Sequence, residues 1–131
     1  MAGSLLFFRS KEPKDDKLEI EGFDWPMISI LVPCYNEEET VEETVNNLIG
    51  LSYPKKEIIL INDGSRDGTF ALLEKLAQTH PEIRVIQLIE NRGKANALQI
   101  GLFASRSEYL LCLDADALRR ITRQPADQRR W

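Results

Sequence analysis

The sequence contains few of the residues that build metal and redox centres. It has two cysteines and one histidine among 131 residues. Cys34 and Cys112 lie far apart in apolar segments, which excludes the close cysteine spacing of zinc and redox motifs and predicts two reduced, buried side chains. Long apolar runs are also missing, because residues 5–8 form the most hydrophobic terminal patch and a membrane helix needs about 18 residues. We therefore expect one soluble, cytoplasmic domain.

The distribution of charge excludes a further class of protein. The net charge is -4, but residues 119–131 carry five arginines and one aspartate, so the preceding residues carry -8. An acidic body does not bind nucleic acid or anionic lipid through bulk charge, so an anionic ligand would need a local feature such as a helix N-terminus or a metal ion. Neither G-x-x-x-x-G-K-[ST] nor G-x-G-x-x-G after the first strand is present to bind phosphate.

Apolar runs alternate with helical patterns along most of the chain. Four short, β-branched runs predict buried strands at 28–32, 57–61, 84–88 and 109–113. Helical patterns separate them, which predicts an α/β domain with a mainly parallel sheet, right-handed crossovers and helices on both faces. Residues 1–25 lack periodicity and are interpreted as a linker or arm, so the fold is expected to begin near residue 26.

The patterns also predict how the helices begin and pack. Asn36 is expected to cap the first helix, with Glu39 as its capping-box partner. The third helix is expected to present Leu98 and Leu102 as its apolar side.

Ligands of parallel sheets bind beyond the carboxyl ends of the strands, where the strand order reverses. That edge of the sheet, called the rim below, should bring together four polar segments, at 33–37, 62–65, 90–94 and 114–116. In the last of them, Asp114 and Asp116 can point the same way and suit Mg²⁺ or Mn²⁺, with a diphosphate completing the coordination. The alternative is a polar strand end at which Asp116 caps a helix over 117–121.

The other three segments are equally ambiguous when each is taken alone. Asp63 can accept hydrogen bonds from a uracil imide or a ribose hydroxyl, or it can stabilise a turn, with Asp67 capping the next helix. Tyr35 can stack on a base or cover the sheet edge. Lys94 and the amides before it can bind phosphate, or they can begin a helix whose charges are solvated.

Taken together, Val32-Pro-Cys-Tyr-Asn-Glu37, Ile61-Asn-Asp-Gly-Ser-Arg-Asp-Gly-Thr69, Asn91-Arg-Gly-Lys-Ala-Asn-Ala-Leu98 and Leu113-Asp-Ala-Asp-Ala117 resemble the family 2 glycosyltransferases. Within that family the sequence is most similar to processive poly-N-acetylglucosamine synthases, with chitin, hyaluronan and cellulose synthases as more distant relatives. The resemblance covers residues 26–118.

The resemblance implies a Rossmann-like GT-A half-domain that binds a UDP-sugar, most simply UDP-N-acetylglucosamine. It assigns the nucleotide-sugar to Pro33, Tyr35, Glu37, Asp63, Lys94 and Asp114, and the Mg²⁺ or Mn²⁺ to Asp116. It also implies a polysaccharide acceptor, a C-terminal half with the general base, and membrane helices that hold this domain at the cytoplasmic face. Residues 119–131 do not match the family's continuation, and truncation, a frameshift or cloning is the simplest explanation.

Two functions from different classes follow. The first is the donor-binding part of an inverting glycosyltransferase that builds a polysaccharide, inactive by itself because the base is missing. The second is a fragment that only binds UDP or folds against a missing partner half, with exposed apolar surface. A phospho-acceptor receiver domain ranks far below both, because it needs an acidic pair where this chain has Pro33-Cys34-Tyr35.

Overall fold

Four of the five strands in the computed structural model, which describes residues 6–9 and 25–114, are those that the apolar runs predict. The strands are β1 (Leu6–Arg9), β2 (Ile28–Cys34), β3 (Lys56–Asp63), β4 (Ile83–Leu88) and β5 (Tyr109–Cys112). The helices are α1 (Val41–Ile49), α2 (Thr69–Thr79) and α3 (Lys94–Ala104). The predicted α/β class is confirmed.

The order in which the chain adds strands to the sheet reverses at β2. The order across the sheet is β1-β5-β2-β3-β4, with β5, β2, β3 and β4 parallel and β1 antiparallel to β5. The chain moves outward from β2 through β3 to β4 and then returns to the other side of β2 as β5. The crevice for a ligand is therefore expected above the carboxyl ends of β2 and β5.

Alternate strand residues build a core on each face of the sheet. Ile30, Val32, Ile58 and Leu60 pack with α1 and α2, whereas Leu31, Ile59 and Ile61 pack with Ala97 of α3. Strands buried on both faces read as continuous apolar runs, which is why β2 and β3 could be located from the sequence.

The expectation that the fold begins near residue 26 is wrong for one strand. β1 lies upstream and extends the sheet, with Leu6 opposite Cys112 and Arg9 opposite Tyr109. A four-residue strand is too short to show an alternating pattern, and its partner lies at the far end of the described chain.

The predicted start of the first helix is also wrong. α1 begins at Val41 with Thr40 in the N-cap position, and Asn36 has a left-handed backbone with φ of 50°. The Asn36 side chain does not cap the helix, because its Oδ1 accepts a hydrogen bond from the backbone N–H of Arg66 at 2.9 Å. Local spacing assigned the Asn36 side chain to a capping box. In the structure it instead accepts a hydrogen bond from a backbone amide 30 positions away.

Helix α3 packs through two small residues and through the predicted Leu98, but not through the predicted Leu102. Ala97 and Gly101 are its buried positions, whereas Leu102 is 44% exposed and Leu98 is partly buried. A Cβ atom on Gly101 would lie 2.8 Å from Cδ1 of Ile61, so the absence of a side chain allows the helix to approach the sheet closely.

Both cysteines are free and buried, as the sequence predicts. Burial raises the pKa of Cys34, with a smaller contribution from the charge of Glu37, and burial raises the pKa of Cys112. Both side chains are therefore uncharged core thiols at neutral pH. None of the helices between residues 25 and 114 combines the length and hydrophobicity that a bilayer crossing requires.

Candidate functional site

A cavity of about 280 Å³ opens at the rim, beside the strand reversal. Segments from the ends of β2, β3 and β5 and from the start of α3 form its walls. It contains all six nucleotide-sugar residues that the sequence predicts within the described chain. The lining residues are Pro33, Cys34, Tyr35, Glu37, Asp63, Asn91, Gly93, Lys94 and Asp114.

Hydrogen bonds join the segment after β2 to the segment after β3. The Asn36 N–H donates to Ser65 Oγ at 2.9 Å, and the Glu37 N–H donates to Thr69 Oγ1 at 2.8 Å. Glu38 accepts the N–H of Gly68 through Oε1 at 2.6 Å. The backbone that carries Tyr35 and Glu37 is thus held in place by the loop that leads into α2.

Asp63 joins the segment after β3 to the segment before α3. Its buried carboxylate accepts hydrogen bonds from Asn91 Nδ2 at 2.9 Å, from the Arg92 N–H at 3.0 Å and from the Gly93 N–H at 2.9 Å. Asn91 Nδ2 also donates to the carbonyl oxygen of Asp63 at 3.0 Å. The carboxylate therefore organises a loop that lies about 30 residues further along the chain.

This arrangement changes the predicted role of the loop at 90–94. The amides of Arg92 and Gly93 were candidates for a phosphate site, but both donate to Asp63. Asp63 is also not a local turn residue of the kind that the sequence suggested, because these partners come from a different segment. Asp67 is not the predicted N-cap of α2, because Gly68 occupies that position, but Asp67 Oδ1 accepts the N–H of Thr69, the first helical residue, at 2.9 Å.

Gly64 allows these two segments to touch. It has φ of +71°, and a Cβ atom there would lie 2.4 Å from the backbone N of Asn91 and 2.4 Å from the backbone C of Glu90. No side chain fits between the two backbones, so the distance between the segments depends on this glycine.

Gly64→Ala is therefore expected to lower the free energy of unfolding by about 2 kcal/mol or more, since the left-handed conformation alone costs an L-residue roughly 1–2 kcal/mol. Urea denaturation measures the change. Gly50→Ala is the matched control, because Gly50 has φ of -78° and the nearest atom to its added Cβ would lie at 3.5 Å. Equal stability of the two variants would contradict the importance of the contact at Gly64.

Lys94 and Asp114 form an ion pair in the lining of the cavity. Lys94 Nζ lies 2.7 Å from Asp114 Oδ2, with the two side chains 55% and 23% exposed. Among the residues that the structure describes, three carboxylates and the ammonium group of Lys94 line the cavity, so a diphosphate would need further positive charge. The oxygen donors suit Mg²⁺ or Mn²⁺, and the ammonium beside Asp114 shows that this carboxylate accepts a cation.

The described residues do not complete a metal site by themselves. Between residues 25 and 114, no three or more His, Cys, Asp or Glu side chains are grouped so as to hold a metal ion. Asp116, the predicted metal ligand, lies outside the described residues. The carboxylate oxygens of Asp114 belong to the donor type that Mg²⁺ and Mn²⁺ prefer.

A second cavity of about 440 Å³ adjoins the first through Tyr35 and Glu37, and its other walls are formed by residues 36, 38–40 and Asp67. Tyr35 is 42% exposed, so its ring is accessible to a ligand instead of being buried over the sheet edge.

Burial tends to raise the pKa of Asp67, but hydrogen bonds from Thr69 and from the Glu38 amide lower it below the ordinary value.

For two residues of the rim, the sequence did not predict a contact with another segment. Asn91 was identified as part of a charged loop, and Asn36 as a local cap. Both instead use their side-chain amides to join segments about 30 positions apart. The only signal in the sequence is that each asparagine lies beside a predicted strand end, where a polar side chain has neighbours from other strands.

The chain folds as an α/β domain, and its cavity lies at the switch point of a parallel sheet, the position at which nucleotide-binding domains of this class bind their ligands. The model of the glycosyl transferase family 2 matches residues 29–119, and the chain belongs to this family. It is 42% identical over 121 residues to a poly-beta-1,6-N-acetyl-D-glucosamine synthase of Staphylococcus aureus, with 90% of this chain and 29% of that protein covered. The Staphylococcus epidermidis synthase is 40% identical over 126 residues, with the same coverage.

Solved structures show the same fold. The mannosyltransferase PcManGT from Pyrobaculum calidifontis, in complex with GDP-Man and Mn²⁺, is 33% identical with a TM-score of 0.68 over 81% of this chain and 31% of that chain. TarS 1-349 of S. aureus, in complex with UDP-GlcNAc, is 29% identical with a TM-score of 0.64 over 69% of this chain and 26% of that chain. The predicted family and GT-A-like fold are confirmed. The chain spans less than a third of the length of these curated relatives.

Proposed function

We propose that this chain is the donor-binding part of an inverting glycosyltransferase that builds a polysaccharide, and that its donor is UDP-N-acetylglucosamine. The observation that carries the proposal is the convergence of six residues, predicted from four separate segments, on one cavity at the strand reversal. The similarity to poly-N-acetylglucosamine synthases supports the polysaccharide, and the TarS complex supports the UDP-sugar.

In the proposed complex the uridine binds at the end of β2. Tyr35 stacks on the base, Asp63 accepts an N–H from the uracil, and Pro33 and Glu37 shape the pocket around them. Lys94 lies beside the diphosphate, which gains from its positive charge. Asp114, the ion-pair partner of Lys94, contacts the nucleotide or the sugar.

Asp116 and the oxygens of the diphosphate would hold Mg²⁺ or Mn²⁺, which when bound neutralises the diphosphate and the departing UDP. The presence of Mn²⁺ in the complex of the related mannosyltransferase supports this assignment. The residues that line the cavity would position the diphosphate of the donor next to this cation. An acidic rim can then bind an anionic donor.

In the proposed transfer, an acceptor hydroxyl attacks the anomeric carbon, the bond to the diphosphate oxygen breaks, and the hydroxyl proton passes to a general base. We assign no described residue to that base and expect it in the part of the relatives that this chain does not span. The purified chain is therefore expected to bind donor without transferring sugar. The longer protein is proposed to lie at a membrane, with this domain on its cytoplasmic face.

Calorimetric titration of the 131-residue chain with UDP, with and without Mn²⁺, tests the proposal. Mn²⁺-dependent binding is expected, and Asp116→Asn is expected to weaken it by about tenfold or more, because one lost charged contact to a metal corresponds to at least 1.4 kcal/mol. Asp127→Asn is the matched control, since it makes the same chemical change eleven residues further along the chain and is expected to have no effect.

The possible results separate the two functions that the sequence suggests. No binding of UDP under any condition would contradict the proposal and favour a fragment that depends on a partner, for which the 98% exposed Ile89 and the 80% exposed Phe103 supply apolar surface. Binding that is equal with and without Mn²⁺ and in the Asp116 variant would contradict the metal assignment alone.

A further inference from the structure

The carboxylate of Asp63 has most of its accepting capacity occupied by the protein. A carboxylate has about four acceptor positions, two on each oxygen. Oδ2 accepts two hydrogen bonds, from Asn91 Nδ2 and the Gly93 N–H, each at 2.9 Å. Oδ1 accepts one, from the Arg92 N–H at 3.0 Å. Within the part of the chain that the structure describes, these bonds leave one acceptor position, on Oδ1, for a ligand.

The surrounding structure holds the carboxylate in this arrangement. Asp63 is the last residue of β3 and only 3% exposed. The neighbouring Gly64 packs directly against the backbone of Glu90 and Asn91, and α3 begins at Lys94, one residue after Gly93. The donors from 91–93 therefore cannot move away without disrupting the contact at Gly64 or the start of the helix.

The number of open acceptor positions decides which base edge the site can satisfy. Uracil presents a single donor, N3–H, between two carbonyl oxygens. Guanine presents two adjacent donors, N1–H and the 2-amino group, which match a carboxylate only if both of its oxygens are open. Hypoxanthine has the purine shape of guanine but lacks the 2-amino group, so it presents one donor.

We propose that Asn91 determines base specificity by occupying Oδ2 of Asp63, so that the site accepts a base with one donor and excludes guanine. This inference rests on the proposed function, in which the base of the donor meets Asp63. Asn91 is a positioning residue, since it acts on the nucleotide through the Asp63 carboxylate. The backbone amides of Arg92 and Gly93 assist it, and side-chain substitution does not remove them.

Titrations of the 131-residue chain with UDP, GDP and IDP in the presence of Mn²⁺ test the inference. UDP is expected to bind about tenfold or more tightly than GDP, and IDP more tightly than GDP by a similar factor, because an unsatisfied donor costs roughly 1–3 kcal/mol. Asn91→Ala opens a second acceptor position, so the IDP-to-GDP ratio is expected to fall to within about threefold of one.

Asn46→Ala is the matched control, because Asn46 is an exposed residue of α1 and the same substitution there should leave every ratio unchanged. A general loosening of the loop by Asn91→Ala would weaken all three nucleotides together and would not change the IDP-to-GDP ratio. The ratio therefore separates an effect on recognition from an effect on structure.

The inference is overturned if the unaltered chain binds IDP and GDP equally, or if Asn91→Ala retains the original ratio. It is also overturned if neither purine nucleotide binds to either protein while UDP binds, because the size of the cavity would then select the base. Failure of all three nucleotides to bind the unaltered chain would contradict the proposed function itself, and this inference with it.

Discussion

Asp63→Ala is expected to lower the free energy of unfolding by about 3 kcal/mol and to abolish UDP binding. The substitution removes the shared acceptor of Asn91 Nδ2 and of the Arg92 and Gly93 amides. A hydrogen bond to a charged group contributes about 1.5–3 kcal/mol, and donors left without an acceptor add a desolvation cost. Urea denaturation should show a lower midpoint with an unchanged m-value.

Glu90→Ala is the appropriate control for this prediction. Glu90 is also acidic and belongs to the same loop, but its ion pair with Arg92 is 2.7 Å long between side chains that are 64% and 65% exposed. Exposed ion pairs contribute about 0–1 kcal/mol, so this variant should remain close to the unaltered chain in stability. Similar losses in both variants would show that the buried position of Asp63 has no special importance.

The fold could be predicted from the sequence because its central strands are buried on both faces. Residues 28–32 and 57–61 are almost uninterrupted apolar runs, and helical patterns separate them from the next strands. The same logic failed for β1, whose four residues pair with a strand about a hundred positions away. It failed for the packing side of α3 because hydrophobicity favoured Leu102, whereas close approach to Ile61 requires Gly101.

The membership of the candidate site could also be predicted, but its internal contacts could not. Parallel strands end at one edge, so polar residues just after each strand must lie near one another. Whether a given carboxylate faces a ligand or a neighbouring loop depends on residues far away in the sequence. Asp63 and Asn91, 28 positions apart, illustrate this limit, since each has a plausible local role that the structure does not show.

The opposite end of the sheet contains a buried polar network that sequence reasoning did not find. Glu57, at the start of β3, accepts hydrogen bonds from Ser29 Oγ at 2.5 Å, from the Arg106 N–H at 2.9 Å and from Arg84 at 3.1 Å. Arg84 also donates to the carbonyl oxygen of Ala104 at 2.8 Å, at the end of α3. The network thereby joins β2, β3, β4 and the connection to β5 below the cavity.

Glu57→Ala is expected to lower the free energy of unfolding by about 3 kcal/mol at neutral pH, because it removes a buried carboxylate and leaves the hydrogen-bond donors around it without their acceptor. Arg84 is the residue that loses its partner, with a side chain 32% exposed. The cavity lies at the other end of the strands, so UDP binding by the folded fraction should be unchanged. Loss of UDP affinity equal to that of Asp63→Ala would contradict this separation of stability from binding.

The pH dependence of the stability loss in Glu57→Ala tests whether the charge of Glu57 causes that loss. Burial raises the pKa of Glu57, but hydrogen bonds from Ser29, the Arg106 amide and Arg84, together with the Arg84 charge, outweigh it and hold the pKa below its ordinary value of 4.5. A lowered pKa in the folded state means that the ionised form stabilises the fold above about pH 4.5, and that this contribution disappears as the pH falls through the folded-state pKa. Urea denaturation of both proteins between neutral pH and acid should therefore show the stability difference shrinking below pH 4.5, because only the unaltered chain loses this contribution. A difference that stays constant across that range would mean that Glu57 acts through packing and not through its charge.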